Sequence, residues 1–382
     1  MADVESPNRD LIGSPGSRWR LSTPALVLDL DVMERNIARM AAHCRATGQA
    51  LRPHGKSHKS AAIARAQAAA GAIGICCATL REAEAMVGAG LAGVLITSPP
   101  TGAAKLARLM VLHAAADEAT VVTDTPEHVD ALAAAVSAAG TGRPLKVVVD
   151  FDVGSHRTGA ASEADVVALA RRIDAAPALA FAGVQAYYGH LQHIEDYGRR
   201  AGEVRAQAAR LKSAVAALGE AGLAPAIVTG GGTGTHDLDH REGVFTELQA
   251  GSYLFTDVQY NQVALRAGEP RPFEPSLFVH ATVVNNVHRA HAIIDAGLKS
   301  FATDGPPPEF SAGTPVGASY RFFGDEHGAV VYGEANARLE VGAPVACLVP
   351  HCDPTVNLYD AYHCVRGDTL VDIWPVDARG NP

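Results

Sequence analysis

The sequence predicts an α/β protein built as a (β/α)8 TIM-type barrel followed by a C-terminal all-β domain. Between residues 50 and 250 eight short apolar runs alternate with segments of helical periodicity, and after about residue 261 that alternation stops. The length agrees: 382 residues can hold one large domain and a smaller one, with a sizeable core.

In chain order, an apolar run at 24–30 precedes a helical stretch at 32–46. This run is a ninth β segment, one too many for the barrel, so it is assigned to the second domain, which brings the two termini together. The barrel runs follow at 50–51, 73–78, 93–96, 119–122, 145–149, 179–185, 226–229 and 244–248. Between them 60–70, 81–89, 103–115, 127–139, 164–175 and 198–221 carry apolar residues at three- and four-residue spacing, the pattern of helices with one buried face. A doubly wound sheet shows the same alternation and is the rival architecture. Beyond residue 261 the runs 278–284, 292–295, 319–323, 329–332, 345–349 and 370–374 are separated by Gly, Pro, Asp and Asn, with no long helix. The expected division is a barrel at 31–265 and a β domain made of 1–30 and 266–382.

Composition narrows the function. A net charge of −9 without a basic stripe argues against nucleic acid, whose phosphates need clustered cations. Residues 1–20 are polar, with Pro7 and Pro15, and lack the apolar centre of a signal peptide. No window of about 18 uncharged apolar residues is present to span a membrane. The six cysteines form no CxxC pair or disulfide framework, so a reducing, cytoplasmic setting is expected.

The residues with chemistry cluster after the barrel runs. Lys56, in Leu51-Arg52-Pro53-His54-Gly55-Lys56-Ser57-His58-Lys59-Ser60, sits where the first run ends, which is where a barrel places its chemistry; a lysine there can hold an aldehyde cofactor. A solvated basic loop is the plain alternative. The glycine-rich stretch 229–235 follows the seventh run and offers unhindered amides and hydroxyls to a phosphate, unless it is merely a flexible loop. Gly251-Ser252-Tyr253, after the eighth run, can close the same site.

In His351-Cys352-Asp353-Pro354 an extended backbone would point His351 and Asp353 the same way, gripping one divalent ion with Cys352 aside. An imidazole with a carboxylate suits Mn²⁺, Mg²⁺ or Zn²⁺; a simple turn before Pro354 is the alternative. His190 and His193 follow the sixth run and are candidates for proton transfer near neutral pH, or exposed histidines without a role. Arg157, after the fifth run, is either a surface cation or a donor to a cofactor or carboxylate.

With these residues assembled, the chain resembles the D-threonine aldolase and D-serine dehydratase family of fold-type III pyridoxal-phosphate enzymes, relatives of alanine racemase. The resemblance runs over nearly the whole chain and rests on RPHGKxHK, GICC, FAGVQAYYG, TGGGTGT, ELQAGSY, DAGLKS and HCDPTxNLYD in combination. It implies that Lys56 bears pyridoxal 5'-phosphate, that Thr233, Gly234, Gly251 and Ser252 hold its phosphate, and that Tyr187 and Tyr260 lie beside it. Arg157 is similar to the arginine that contacts the ring hydroxyl, His351 and Asp353 to the metal ligands, and His193 to the base. A homodimer acting on a small D-amino acid is also implied.

Asp353 stands where the dehydratases typically carry cysteine, which places the chain on the aldolase side: retro-aldol cleavage of a D-3-hydroxy amino acid, D-threonine-like or 3-hydroxy-D-aspartate, to glycine and an aldehyde. Ala78-Thr79-Leu80-Arg81, Ser98-Pro99, His156 and His190 depart from the aldolase pattern, and His58, His156 and His190 are taken as candidate substrate contacts. The rival reaction is β-elimination of D-serine or a 3-hydroxyaspartate to a 2-oxo acid and ammonia. A non-catalytic pyridoxal-phosphate carrier would resemble the barrel alone, and simple racemization would give the metal pair no task.

Overall fold

The computed structural model describes residues 6–269, 271–333 and 338–380; the first five residues of the polar amino-terminal stretch lie outside them. The chain first forms strand β1 (Ala25–Asp29) and helix α1 (Leu30–Thr47). The Asp29 carboxylate accepts the Val32 N–H at the start of α1, and Gly48, at φ 73°, ends it in the left-handed conformation that glycine adopts without a Cβ clash.

Eight parallel strands follow: β2 (Ala50–Leu51), β3 (Ile75–Cys77), β4 (Val94–Ile96), β5 (Ala119–Thr123), β6 (Leu145–Asp150), β7 (Leu179–Ala186), β8 (Ile227–Gly230) and β9 (Glu247–Leu248). They pair in the order β2-β9-β8-β7-β6-β5-β4-β3, and a parallel bridge between His54 and Cys76 joins the two ends. First strand beside last is the neighbour relation of a barrel and rules out the doubly wound rival.

Helices α2 (Ala61–Ala69), α3 (Leu80–Gly88), α4 (Ala103–Ala115), α5 (Pro126–Ala139), α6 (Glu163–Asp174), α7 (Tyr197–Glu220) and α8 (His236–Glu242) cover the outside together with α1. Thr79, Thr125, Ser162 and Asp196 cap α3, α5, α6 and α7 with side-chain oxygens. Val94, Ile96, Val121, Val147 and Val149 pack outward against these helices, whereas Cys76, Leu95, Val122 and Val148 alternate inward as a smaller cluster.

Tyr260 enters on a short helix α9 (Val258–Asn261) that leads into the second domain. That domain contains β10 (Leu277–Asn285), β11 (His291–Ile294), β12 (Glu309–Ala312), β13 (Ser319–Phe322), β14 (Gly328–Val331), β15 (Pro344–Leu348), a short helix α10 (Cys352–Val356), β16 (Ala361–Arg366) and β17 (Thr369–Pro375). The sheet order is β13-β14-β11-β10-β1-β16-β17, with β15 pairing both β10 and β12. As expected, β1 leaves the barrel and joins this sheet, antiparallel to β10 and parallel to β16.

Two strands were not anticipated, β12 and β16, because Glu309–Ala312 has one large apolar residue and Ala361–Arg366 interrupts its run with His363. The extended reading of 351–353 is also corrected. His351 is extended (φ −143°, ψ 121°), but Asp353 already lies in the first turn of α10, and Cys352 is buried with its thiol 3.2 Å from Asp353 Oδ1.

Candidate active site

The C-terminal ends of the barrel strands open into a cavity of about 210 Å³. Lys56 reaches it from a single 3-10 turn, Gly55–Ser57, placed directly after β2. His54 fixes that turn: its Nδ1 accepts the Lys56 N–H at 3.3 Å. Nδ1 as acceptor makes Nε2 the protonated nitrogen, which donates to Thr97 Oγ1 (3.1 Å), and Thr97 in turn donates to the Cys77 carbonyl. Burial pushes the His54 pKa well down, with nearby Lys56 adding to the effect, so the ring at the cavity wall is neutral.

The Lys56 ammonium lies 5.6 Å from the centre of the Tyr187 ring, and the Arg157 guanidinium sits 5.6 Å from the same ring. On its other side Lys56 Nζ is 3.7 Å from Asp353 Oδ2. Burial pulls the lysine pKa down, but attraction to Tyr187 and Asp353 outweighs it and leaves it raised. Burial likewise works against the Asp353 anion, yet Lys56 and His351 hold its pKa below the usual carboxylate value.

Opposite Lys56, the loop after β8 presents Gly232 and Thr233, and the turn after β9 presents Gly251 and Ser252. Glycine is required here by close approach. A Cβ on Gly231 would collide with Asp239 Oδ2, and one on Gly234 with the Gln192 carbonyl. Thr235 Oγ1 donates to Asp239 Oδ2 (2.8 Å), and the Tyr253 N–H donates to Thr233 Oγ1 (3.0 Å), tying the two loops together. Side-chain hydroxyls and small residues converging on one wall suit a phosphate.

His193 stands across the cavity, with its ring centre 4.6 Å from that of Tyr260 and 6.4 Å from that of His351. Burial first, and His351 second, lower its pKa to about 4, so it is a neutral imidazole near pH 7. His351 Nδ1 lies 2.8 Å from Asp304 Oδ2. An ionised Asp353 and a histidine whose outer nitrogen already faces a carboxylate form a donor pair that fits a divalent cation. Among the described residues no set of three or more His, Cys, Asp or Glu side chains converges, so such an ion would draw its remaining ligands from water or substrate.

The cavity thus brings together Lys56, Arg157, Tyr187, His193 and Tyr260 with Thr233, Gly251, Ser252, His351 and Asp353. Four expected contacts lie elsewhere. The Gly234 N–H is bonded to Gln192 Oε1 (2.9 Å), and Gly232 takes its place in the lining. His58 is fully buried beneath the lysine turn, where its Nδ1 accepts the Ser60 N–H. The His156 side chain is 84% exposed and donates to Asp152, and His190 is exposed on the turn Gly189–Leu191. His58 is too enclosed to reach a substrate, and His156 and His190 point to solvent.

Sequence reasoning missed His54, Thr97, Gln185, Gln192 and Gln249, which also line the cavity, and Asp304 behind His351. Two of the glutamines form a chain in which Gln249 donates to Gln185 Oε1 (3.2 Å) and Gln185 donates to Asp150 Oδ1 (3.0 Å). Only His54 carried a signal, its place two residues before Lys56.

Comparison with known proteins agrees with this geometry. The family model "Alanine racemase, N-terminal domain" matches residues 28–259, and the model "Putative serine dehydratase domain" matches residues 276–365. The chain is 42% identical over 363 residues to a D-threonine aldolase of Arthrobacter sp, covering 94% of this chain and 93% of that protein. It is 36% identical over 376 residues to a 3-hydroxy-D-aspartate aldolase of Paracoccus denitrificans (strain Pd 1222), covering 97% and 96%. The crystal structure of a D-threonine aldolase from Filomicrobium marinum superposes with a TM-score of 0.92 at 36% identity, covering 98% of this chain and 99% of that one. A barrel carrying a lysine at the end of its first strand, a β domain closing the cavity, and relatives matched end to end agree on one assignment: the chain belongs to the D-threonine aldolase and D-serine dehydratase family of fold-type III pyridoxal-phosphate enzymes.

Proposed function

We propose that this protein is a lyase that cleaves D-3-hydroxy amino acids to glycine and an aldehyde, using pyridoxal 5'-phosphate on Lys56 and a divalent cation on His351 and Asp353. The observation that carries the reading is that Lys56 Nζ lies 3.7 Å from Asp353 Oδ2, in a cavity that also holds the neutral His193. When bound, the pyridoxal ring supplies a sink for negative charge at the α-carbon, and the cation supplies a Lewis acid that acidifies the β-hydroxyl.

The chain's own residues do the rest. Gly232, Thr233, Gly251 and Ser252 would hold the cofactor's phosphate, Arg157 would donate to its ring hydroxyl, and Tyr187 and Tyr260 line the space that the ring would take. His351 and Asp353 orient the β-oxygen of the substrate toward His193. The neutral His193 imidazole takes the β-hydroxyl proton as the Cα–Cβ bond breaks and its electron pair stays with the α-carbon; one proton then returns to that carbon, through His193 and solvent, to give glycine and leave the imidazole neutral again. An imidazole and one carboxylate, completed by water, suit Mn²⁺ or Mg²⁺, with Zn²⁺ as a third candidate.

Incubation with D-threonine, D-phenylserine, D-serine and the 3-hydroxyaspartates, with glycine and ammonia assayed separately, tests the reaction. Glycine with an aldehyde is expected; ammonia with a 2-oxo acid would make the protein a dehydratase instead. A cytoplasmic homodimer completes the proposal. The six free cysteines among the described residues support the reducing compartment, and light scattering of the purified protein checks the dimer.

A further inference from the structure

We infer that Asp304 is a positioning residue for the cation site: it fixes His351 with the proton on Nδ1, so that Nε2 is the nitrogen offered to the ion. The inference rests on the reading of His351 and Asp353 as the cation pair. Its starting point is the 2.8 Å separation between His351 Nδ1 and Asp304 Oδ2. An ionised carboxylate only accepts hydrogen bonds, so the facing imidazole nitrogen must carry the hydrogen and the opposite nitrogen must carry the lone pair. An acceptor behind a histidine also raises the electron density of its free nitrogen and locks the ring plane.

The loop that carries Asp304 is built to hold this position, although the Asp304 side chain is 54% exposed. Thr355 is the hub: its Oγ1 donates to the His351 carbonyl (2.7 Å) and accepts the Ala302 N–H (3.0 Å), so α10 and the Asp304 loop share one side chain. Two residues before Ala302, the Ser300 carbonyl accepts the Tyr359 hydroxyl at 3.0 Å, a second tie to the chain just beyond α10. Immediately after Asp304, Gly305 lies so close to the Gln259 amide that a Cβ would collide with it. The Asp304 loop is therefore tied by side-chain hydrogen bonds to α10 and to the chain just beyond it. Exposure screens the pair's charges, so its contribution is orientation of the ring rather than fold stability.

Mn²⁺ binding to the metal-stripped, cofactor-loaded protein tests the assignment, with free Mn²⁺ followed by electron paramagnetic resonance. Asp304→Ala is expected to weaken Mn²⁺ binding by about 10–100-fold, and Asp304→Glu to recover part of the loss. The visible absorption of the lysine-bound cofactor should stay as in the wild type, and saturating Mn²⁺ should restore kcat. Asp304→Ala that binds Mn²⁺ as wild type does, while His351→Ala does not bind it, overturns the inference and leaves the cation pair standing. Asp304→Ala that abolishes binding as completely as His351→Ala, without recovery in Asp304→Glu, makes Asp304 a ligand and also overturns it. If His351→Ala and Asp353→Ala both bind Mn²⁺ normally, the cation pair falls and takes this inference with it.

Discussion

Lys56 Nζ lies 3.7 Å from Asp353 Oδ2, so a single ion pair spans the cavity from the end of the first barrel strand to helix α10 of the β domain. On the proposed assignment the two partners serve different groups, and their variants should separate. Lys56→Ala is expected to lose both cleavage and the visible absorption of lysine-bound cofactor. Asp353→Ala should keep that absorption while losing Mn²⁺-dependent cleavage. Absorbance and Mn²⁺ titration on both variants check this, and matching losses in the two would remove the division of labour.

Dialysis against a chelator should lower the cleavage rate without bleaching the cofactor, and added Mn²⁺ should restore it. The proposed cation pair offers two protein ligands among the described residues, and such a shallow site gives up its ion readily. A chelated protein of undiminished activity, shown by elemental analysis to be metal-free, would eliminate the cation from the reaction.

His193→Ala should lower kcat by about 10²–10⁴-fold, the usual yield of a positioned general base, while affinity for pyridoxal phosphate and Mn²⁺ stays unchanged. Burial keeps this ring neutral, with a pKa of about 4, so it is ready to accept a proton at pH 7. Steady-state kinetics with two D-3-hydroxy substrates would show the drop; an unchanged kcat assigns the proton to another acceptor.

Gly234→Ala should weaken pyridoxal-phosphate binding although the Gly234 amide is turned away from the cavity. Its Cβ would run into the Gln192 carbonyl, and relieving an overlap in a packed site costs about 1–3 kcal/mol. A lower melting temperature together with a raised dissociation constant for the cofactor is the expected pair of results. A melt and a titration both matching wild type would show that the loop can shift freely.

Asp239 offers a pH signature away from the cation pair. Burial raises its pKa to about 7 even though Tyr188 and Thr235 donate to it. Between about pH 4 and 7 the unfolded chain has released this proton and the folded one retains it, so the folded state binds more protons and stability should fall as pH rises across that window. Above pH 7 the contribution is constant. Asp239→Asn should flatten the dependence in denaturant melts taken from pH 4 to 8; a slope identical to wild type would mean that another group governs it.

The barrel was legible because most of its strands are buried on both faces and read as short apolar runs, such as Val94–Ile96, between helices with one greasy side. Strands β12 and β16 of the β domain were not: Glu309–Ala312 is half-exposed and too short to show its alternation, and Ala361–Arg366, though buried, has its apolar run broken by His363. Within the site, residues of distinctive chemistry on motif loops (Lys56, Arg157, His193, His351, Asp353) could be read directly. His58, His156 and His190 carry the same chemistry, and only the direction of each side chain, set by tertiary packing, separates them from the cavity. The glutamines and Asp304 lay beyond reach for the opposite reason: their roles come from partners distant in the chain, as Asp304 and His351 show.

The position of β1 bears on how the protein is made. Val27 pairs with Phe278 on one side and with His363 on the other, so the first strand synthesised is completed by nearly the last. A nascent chain can close the barrel once β9 has emerged, whereas β1, with Leu26 and Leu28 destined for full burial, waits for β10 and then for β16. Pairings this far apart in sequence form slowly and leave an apolar strand edge open meanwhile. Loss of the final two strands should therefore show itself as aggregation during expression, before any defect at the catalytic cavity can be measured.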